Sequence, residues 1–123
     1  MSDERKAFST EGRHCVGELW GVSGEWLRDQ QGLMALFEEE LVAHGFTIVG
    51  RSAHRFPEPG GGFTGVFLLS ESHASVHTYP EHGYAAVDLF SCGPRDPAPP
   101  LEALARHLEV PAQLKVFTRG ARE

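Results

Sequence analysis

A chain of 123 residues with 41% hydrophobic content and a net charge of -6 can bury one modest core, so a single domain is expected. The acidic balance and the lack of a basic patch exclude a nucleic-acid binder, whereas a small cationic substrate is compatible with it. The charged N-terminus, MSDERKAFSTEGR, holds no apolar segment for a signal peptide or membrane span, so a cytoplasmic protein with no membrane partner is expected, its two cysteines as free thiols.

In chain order, residues 1–11 are polar and read as a disordered tail, leaving 12–123 as the domain. His14 to Trp20 reads as a first strand with Cys15, Gly17 and Leu19 on one face. Ser23 caps a helix expected from Gly24 to about His44, because Leu33, Met34, Phe37 and Leu41 recur at helical spacing and Gly45 stops it. The Glu38-Glu39-Glu40 run on that helix reads as a solvated face. Phe46 to His54 is a second strand, and Pro57-Glu58-Pro59-Gly60-Gly61-Gly62 a flexible loop that lacks the spacing of a phosphate cradle. Strands follow at Phe63 to Ser70, His73 to Tyr79 and Tyr84 to Cys92, with a tight turn at Pro80-Glu81-His82-Gly83. A rigid connection at Pro94 to Pro100 precedes a helix at about Leu101 to Glu109 and a last strand at Leu114 to Thr118. This order predicts an α+β two-layer sandwich, a largely antiparallel sheet with helices on one face.

The chemistry-bearing residues concentrate between Phe67 and Gly93, FLLSESHASVHTYPEHGYAAVDLFSCG. Period-2 alternation puts His73, Ser75 and His77 on one face of their strand and Ala74, Val76 and Thr78 on the other. Two strands joined by a short turn can bring His77 and Cys92 near each other, with the register left open. No metal site is expected, since His73 and His77 lie on a strand and the cysteines lack paired spacing. No nucleotide fingerprint or Gly-x-Ser-x-Gly elbow occurs either.

The block SESHASVHTYPEHGYAAVDLFSCG, with Gly12-Arg13-His14, Glu18-Leu19, His54-Arg55-Phe56 and Arg119-Gly120 around it, resembles the prokaryotic S-adenosylmethionine decarboxylase family. These are small pyruvoyl enzymes of polyamine synthesis that supply the aminopropyl donor for spermidine. The resemblance implies the same fold, two paired protomers with residues of both able to line each active site, and self-cleavage between Glu71 and Ser72 into chains 1–71 and 72–123. Ser72 is then the nucleophile that becomes the pyruvoyl group, His77 the processing base, and Thr64 the hydroxyl that assists processing. The pyruvoyl group forms a Schiff base with the substrate amine, without metal or pyridoxal phosphate, and Cys92 returns the proton. Phe56 matches a ring that stacks on adenine and Glu81 the carboxylate that binds the ribose.

Three departures fall near the expected pocket. Tyr79 stands where the family usually has Trp, Thr64 where it usually has Ser, and the Pro-Gly loop is slightly longer. Relatives exist that decarboxylate L-ornithine or L-arginine with the same chemistry, so a basic amino acid is the alternative substrate. An unprocessed, non-catalytic regulatory or binding homologue is the reading of a different class.

Overall fold

The structure, a computed structural model, describes residues 10–57 and 59–122. The strands are β1 (Gly12–Trp20), β2 (Ile48–Arg55), β3 (Phe63–Leu69), β4 (Ser72–Tyr79), β5 (Tyr84–Cys92) and β6 (Gln113–Arg119); the helices are α1 (Gly24–Arg28), α2 (Gln30–Ala43) and α3 (Ala98–His107). All six strands form one antiparallel sheet in the order β2-β3-β4-β5-β1-β6. Alternation decides which face meets the helices. Cys15, Leu19, Phe63, Phe67, Ala74, Val76, Val87 and Leu89 turn inward and pack with Leu33, Phe37, Leu41, Leu101 and Leu104 of the helices. The expected two-layer α+β architecture, with helices on one face of an antiparallel sheet, is the one observed.

The long first helix of the sequence reading is two helices. Asp29 interrupts it with ψ 80, ends α1 and caps α2 by accepting the Gly32 N–H at 2.9 Å, while Ser23 caps α1 by accepting the Trp26 N–H at 3.3 Å. The last helix starts at Ala98 rather than Leu101. Pro99 and Pro100 fit its first turn because the N–H groups they lack have no partner there. The Glu run is not a purely solvated face: Glu38 forms a two-pronged pair with Arg51, both bonds at 2.9 Å, and Glu40 meets His107 at 3.0 Å.

The Pro-Gly loop is tethered by two arginine side chains and one backbone bond. Arg28 Nε donates to the Gly60 carbonyl at 2.9 Å, Arg55 to that of Gly61 at 2.6 Å, and the Phe56 N–H to that of Gly62 at 2.8 Å. Gly60 and Gly61 have φ of 84 and 80, a conformation that side-chain-bearing residues rarely adopt. Glu58 lies outside the described residues. The expected tail lies outside them too, apart from Thr10 and Glu11, and Thr10 donates to the Gly120 carbonyl at 2.7 Å. Among the described residues, no helix is long and apolar enough to cross a membrane.

Candidate active site

The face of the sheet away from the helices carries the polar side chains singled out in the sequence. On β4 these are His73, Ser75 and His77, partly exposed, while Ala74, Val76 and Thr78 are buried on the other face. On β5 the same alternation turns Ala86, Asp88, Phe90 and Cys92 toward the open face. Large apolar groups stand exposed there as well: Trp20 at 50%, Leu68 at 59% and Phe117 at 52%.

The expected site residues fall into two groups. The first surrounds the β3–β4 turn. Leu69 pairs with Ser72, so Ser70 and Glu71 form a two-residue hairpin tip, and Glu71 takes φ 72, one of two non-glycine residues at positive φ among those described. Non-glycine residues pay a steric cost in that region. Ser72 is the first residue of β4 and shares the alternation phase of Ala74 and Val76. Since His73 pairs with Phe90, the chain just before His73 runs toward Ser91 and Cys92, and Cys92 is exposed at the end of β5.

The second group lies at the opposite end of β4. Thr64 and His77 are direct cross-strand partners, and Thr64 Oγ1 shares a hydrogen bond with His77 Nδ1 at 3.0 Å. Beyond them, the Phe56 and Tyr79 rings stand 6.0 Å apart, and the Glu81 carboxylate, in the turn after β4, lies against Gly60 of the tethered loop. Tyr79 is backed by an aromatic row, with Tyr84 stacked at 5.6 Å and Trp20 stacked on Tyr84 at 4.3 Å. The Tyr84 hydroxyl donates to Glu18; that bond, then burial, pushes its pKa from 10.0 up to about 12. A depression of about 290 Å³ beside His77 is lined by residues of β1, β4 and β5, among them Glu18 and Asp88.

The register separates the two groups. His77 lies five residues beyond Ser72 on one strand, roughly 16 Å at the rise of a β-strand. Its β5 partner is Ala86, six residues from Cys92, which puts those side chains roughly 20 Å apart. The hairpin therefore does not bring His77 and Cys92 together within one chain.

Sequence reading missed His14 and Asp88. His14 Nε2 lies 2.6 Å from Asp88 Oδ2, and Ser75 Oγ donates to Asp88 Oδ1. The signal available was alternation on β1 and β5, which places both on the open face, but only the β1–β5 and β4–β5 registers make them neighbours. Cys15, by contrast, is fully buried; burial first, then the charges of Asp96, Glu102 and Asp88, push its thiol up to about 11.

Known proteins match over the same span. A family model described as S-adenosylmethionine decarboxylase matches residues 13–120. An S-adenosylmethionine decarboxylase proenzyme of Methanococcus maripaludis is 43% identical over 95 residues, 74% of this chain and 76% of that one. One from Anoxybacillus flavithermus is 36% identical over 101 residues, 82% of this chain and 80% of its own. The crystal structure of the adenosylmethionine decarboxylase from Aquifex aeolicus superposes with a TM-score of 0.82 at 30% identity, covering 94% of this chain and 95% of that one. With the fold, the Glu71-Ser72 turn and this similarity along nearly its whole length, the chain belongs to the S-adenosylmethionine decarboxylase family.

Proposed function

We propose that this protein cleaves itself between Glu71 and Ser72, makes a pyruvoyl group from Ser72, and decarboxylates S-adenosylmethionine. The observation that carries the reading is the Glu71-Ser72 junction, at the tip of a two-residue turn with Glu71 at φ 72. A serine hydroxyl is always within reach of the carbonyl before it, and a left-handed residue on the other side of that carbonyl makes the intact turn costly. Attack converts the amide to an ester. Removal of the Ser72 α-proton then expels the Glu71 carboxylate, and water replaces the remaining nitrogen, which departs as ammonia, to leave a ketone.

The residues present fit such a group. Its chain would begin at β4, which is bonded to β3 on one side and β5 on the other, so cleavage leaves the six-stranded sheet joined. When formed, the ketone takes up the substrate amine and draws off the electron pair released with carbon dioxide. Cys92, exposed beside the start of β4, supplies a proton to the substrate carbon. Phe56 and Tyr79 wall the adenine, and Glu81 accepts from the ribose hydroxyls.

Two protomers complete each site. His77, far along β4, and its β3 partner Thr64 are too distant to serve the Ser72 of their own chain, whereas two open faces laid together can set them against the Ser72 and Cys92 of a second copy. The exposed Trp20, Leu68 and Phe117 on that face favour the pairing. The cytoplasm, where thiols stay reduced, suits a proton-donating Cys92.

Carbon dioxide release from S-adenosylmethionine, L-ornithine and L-arginine, offered separately to the purified protein, tests the substrate. Release from S-adenosylmethionine alone is expected. Release from ornithine or arginine alone would overturn the nucleoside pocket and the role given to Glu81, and a chain that is never cleaved would overturn the enzyme itself.

A further inference from the structure

Four polar side chains meet at the centre of the open face. Asp88 Oδ2 lies 2.6 Å from His14 Nε2 and 3.7 Å from His73 Nε2, and Asp88 Oδ1 accepts from Ser75. His14, His73 and Asp88 each offer a ligand atom within 4.8 Å of the others, a separation at which a metal ion could gather them. The hydrogen bonding argues against that use. The Arg119 guanidinium, 3.5 Å from His14 Nδ1, can only donate, so Nδ1 accepts and Nε2 carries the proton given to Asp88. The nitrogen that faces the carboxylate then has no lone pair to offer, and the cluster acts as a clamp.

What the clamp holds is His73. Its ring is edge-on to His14 at 5.9 Å and tilted against Phe90 at 5.9 Å, yet its side chain is 48% exposed, and among the described residues Asp88 is the one carboxylate within 4 Å of its ring nitrogens. His73 also has a covalent tie to the chemistry, since any group made from Ser72 stays bonded to the His73 amide nitrogen. The reactive carbon is two bonds from that nitrogen, so the His73 ring borders the reaction centre, while pairing with Leu68 and Phe90 fixes the His73 backbone.

We propose that Asp88 is a positioning residue for decarboxylation, which by holding the His73 ring beside the reactive carbon keeps protonation to the substrate carbon that Cys92 faces. Cys92 is two residues past Phe90 on the same face of β5, and Phe90 is the strand partner of His73, so clamp and proton donor share one register. A loosened His73 lets the proton reach the carbon derived from Ser72 instead. The substrate nitrogen then stays on the chain as an N-terminal alanine, and water releases the rest of the substrate as an aldehyde. This inference rests on the pyruvoyl reading above.

The test compares Asp88→Asn, His73→Gln and the double variant. Each is expected to cleave at the wild-type junction and to lose about tenfold in kcat with KM unchanged, because orientation rather than binding is disturbed. Each should also accumulate the 72–123 chain with alanine at its end, readable by stepwise N-terminal degradation, which a pyruvoyl end blocks. The double variant should lose no more than either single one, since both act through the same contact. Unchanged kcat with no alanine ends in Asp88→Asn, or losses that multiply in the double variant, would overturn the inference. Should Asp88→Asn fail to fold, Ser75→Ala frees one carboxylate oxygen while keeping the charge; alanine ends are again expected and their absence overturns the inference. Failure of the pyruvoyl reading itself would appear in the wild type, as an uncleaved chain without carbon dioxide release.

Discussion

A thiol reacts as its thiolate, so the surroundings of a cysteine decide what it can do. Cys15 is walled in by the core, and a pKa raised to about 11 leaves roughly a thousandth of it ionised near pH 8. Cys92 is exposed at the end of β5. Iodoacetamide at that pH is therefore expected to label Cys92 and abolish decarboxylation while sparing Cys15, as peptide mapping reads; preferential labelling of Cys15 in the folded protein would contradict the packing. Tyr84 gives a second test at this scale. Its folded pKa, about 12, lies above the ordinary 10.0, so the bond to Glu18 favours the folded state fully below pH 10.0 and loses that effect as pH rises through about 12. Wild type should thus be more stable than Tyr84→Phe near neutrality, with the difference closing across that window in denaturant titrations; a gap that does not narrow would discount the bond. Cys92 stood out in the sequence through the motif around it. Asp88 did not, because its meaning lies in a register that joins three strands, and local pattern cannot supply a register.

At the scale of elements, hydrophobic alternation made the strands legible. β3, β4 and β5 occupy nearly the expected ranges, since each alternates between a buried and an open face for its whole length. The helices were harder, and for local reasons. The apolar spacing of Leu33, Phe37 and Leu41 lies wholly beyond Asp29 and carries no signal of the break before it, and Pro99 and Pro100 mimic a connection though a first turn accepts them. The tie between helix and sheet was also hidden. Thr78, fully buried, donates to the Leu27 carbonyl at 2.8 Å and accepts the Phe63 N–H at 3.0 Å, joining α1 to β3 and β4. Thr78→Val keeps the shape and strands both partners, so a loss of about 1–3 kcal/mol is expected by chemical denaturation. A change within a few tenths would mean that the two partners find other bonds.

For the whole molecule, the proposed reading divides the site residues of one chain between two ends of the open face. The motif places Ser72, His77 and Cys92 within 21 residues, and a hairpin could have gathered them; the straight register of β4 and β5 instead holds His77 at the far end. Proximity in sequence was legible, whereas its division between the two ends of a strand follows only from the paired sheet. Thr64 and His77 share a hydrogen bond and form a unit, and on the proposed reading the half they lack comes from another copy.

Co-expression of Ser72→Ala chains with differently tagged His77→Ala chains tests that account most directly. Alone, neither variant should cleave, the first lacking the nucleophile and the second the base. In the mixed dimer, one site joins the intact Ser72 of the His77→Ala chain to the intact His77 of the Ser72→Ala chain. The account predicts fragments 1–71 and 72–123 from the His77→Ala chain alone, seen by intact mass. Cleavage of the His77→Ala chain when expressed alone, or none in verified mixed dimers, would contradict it.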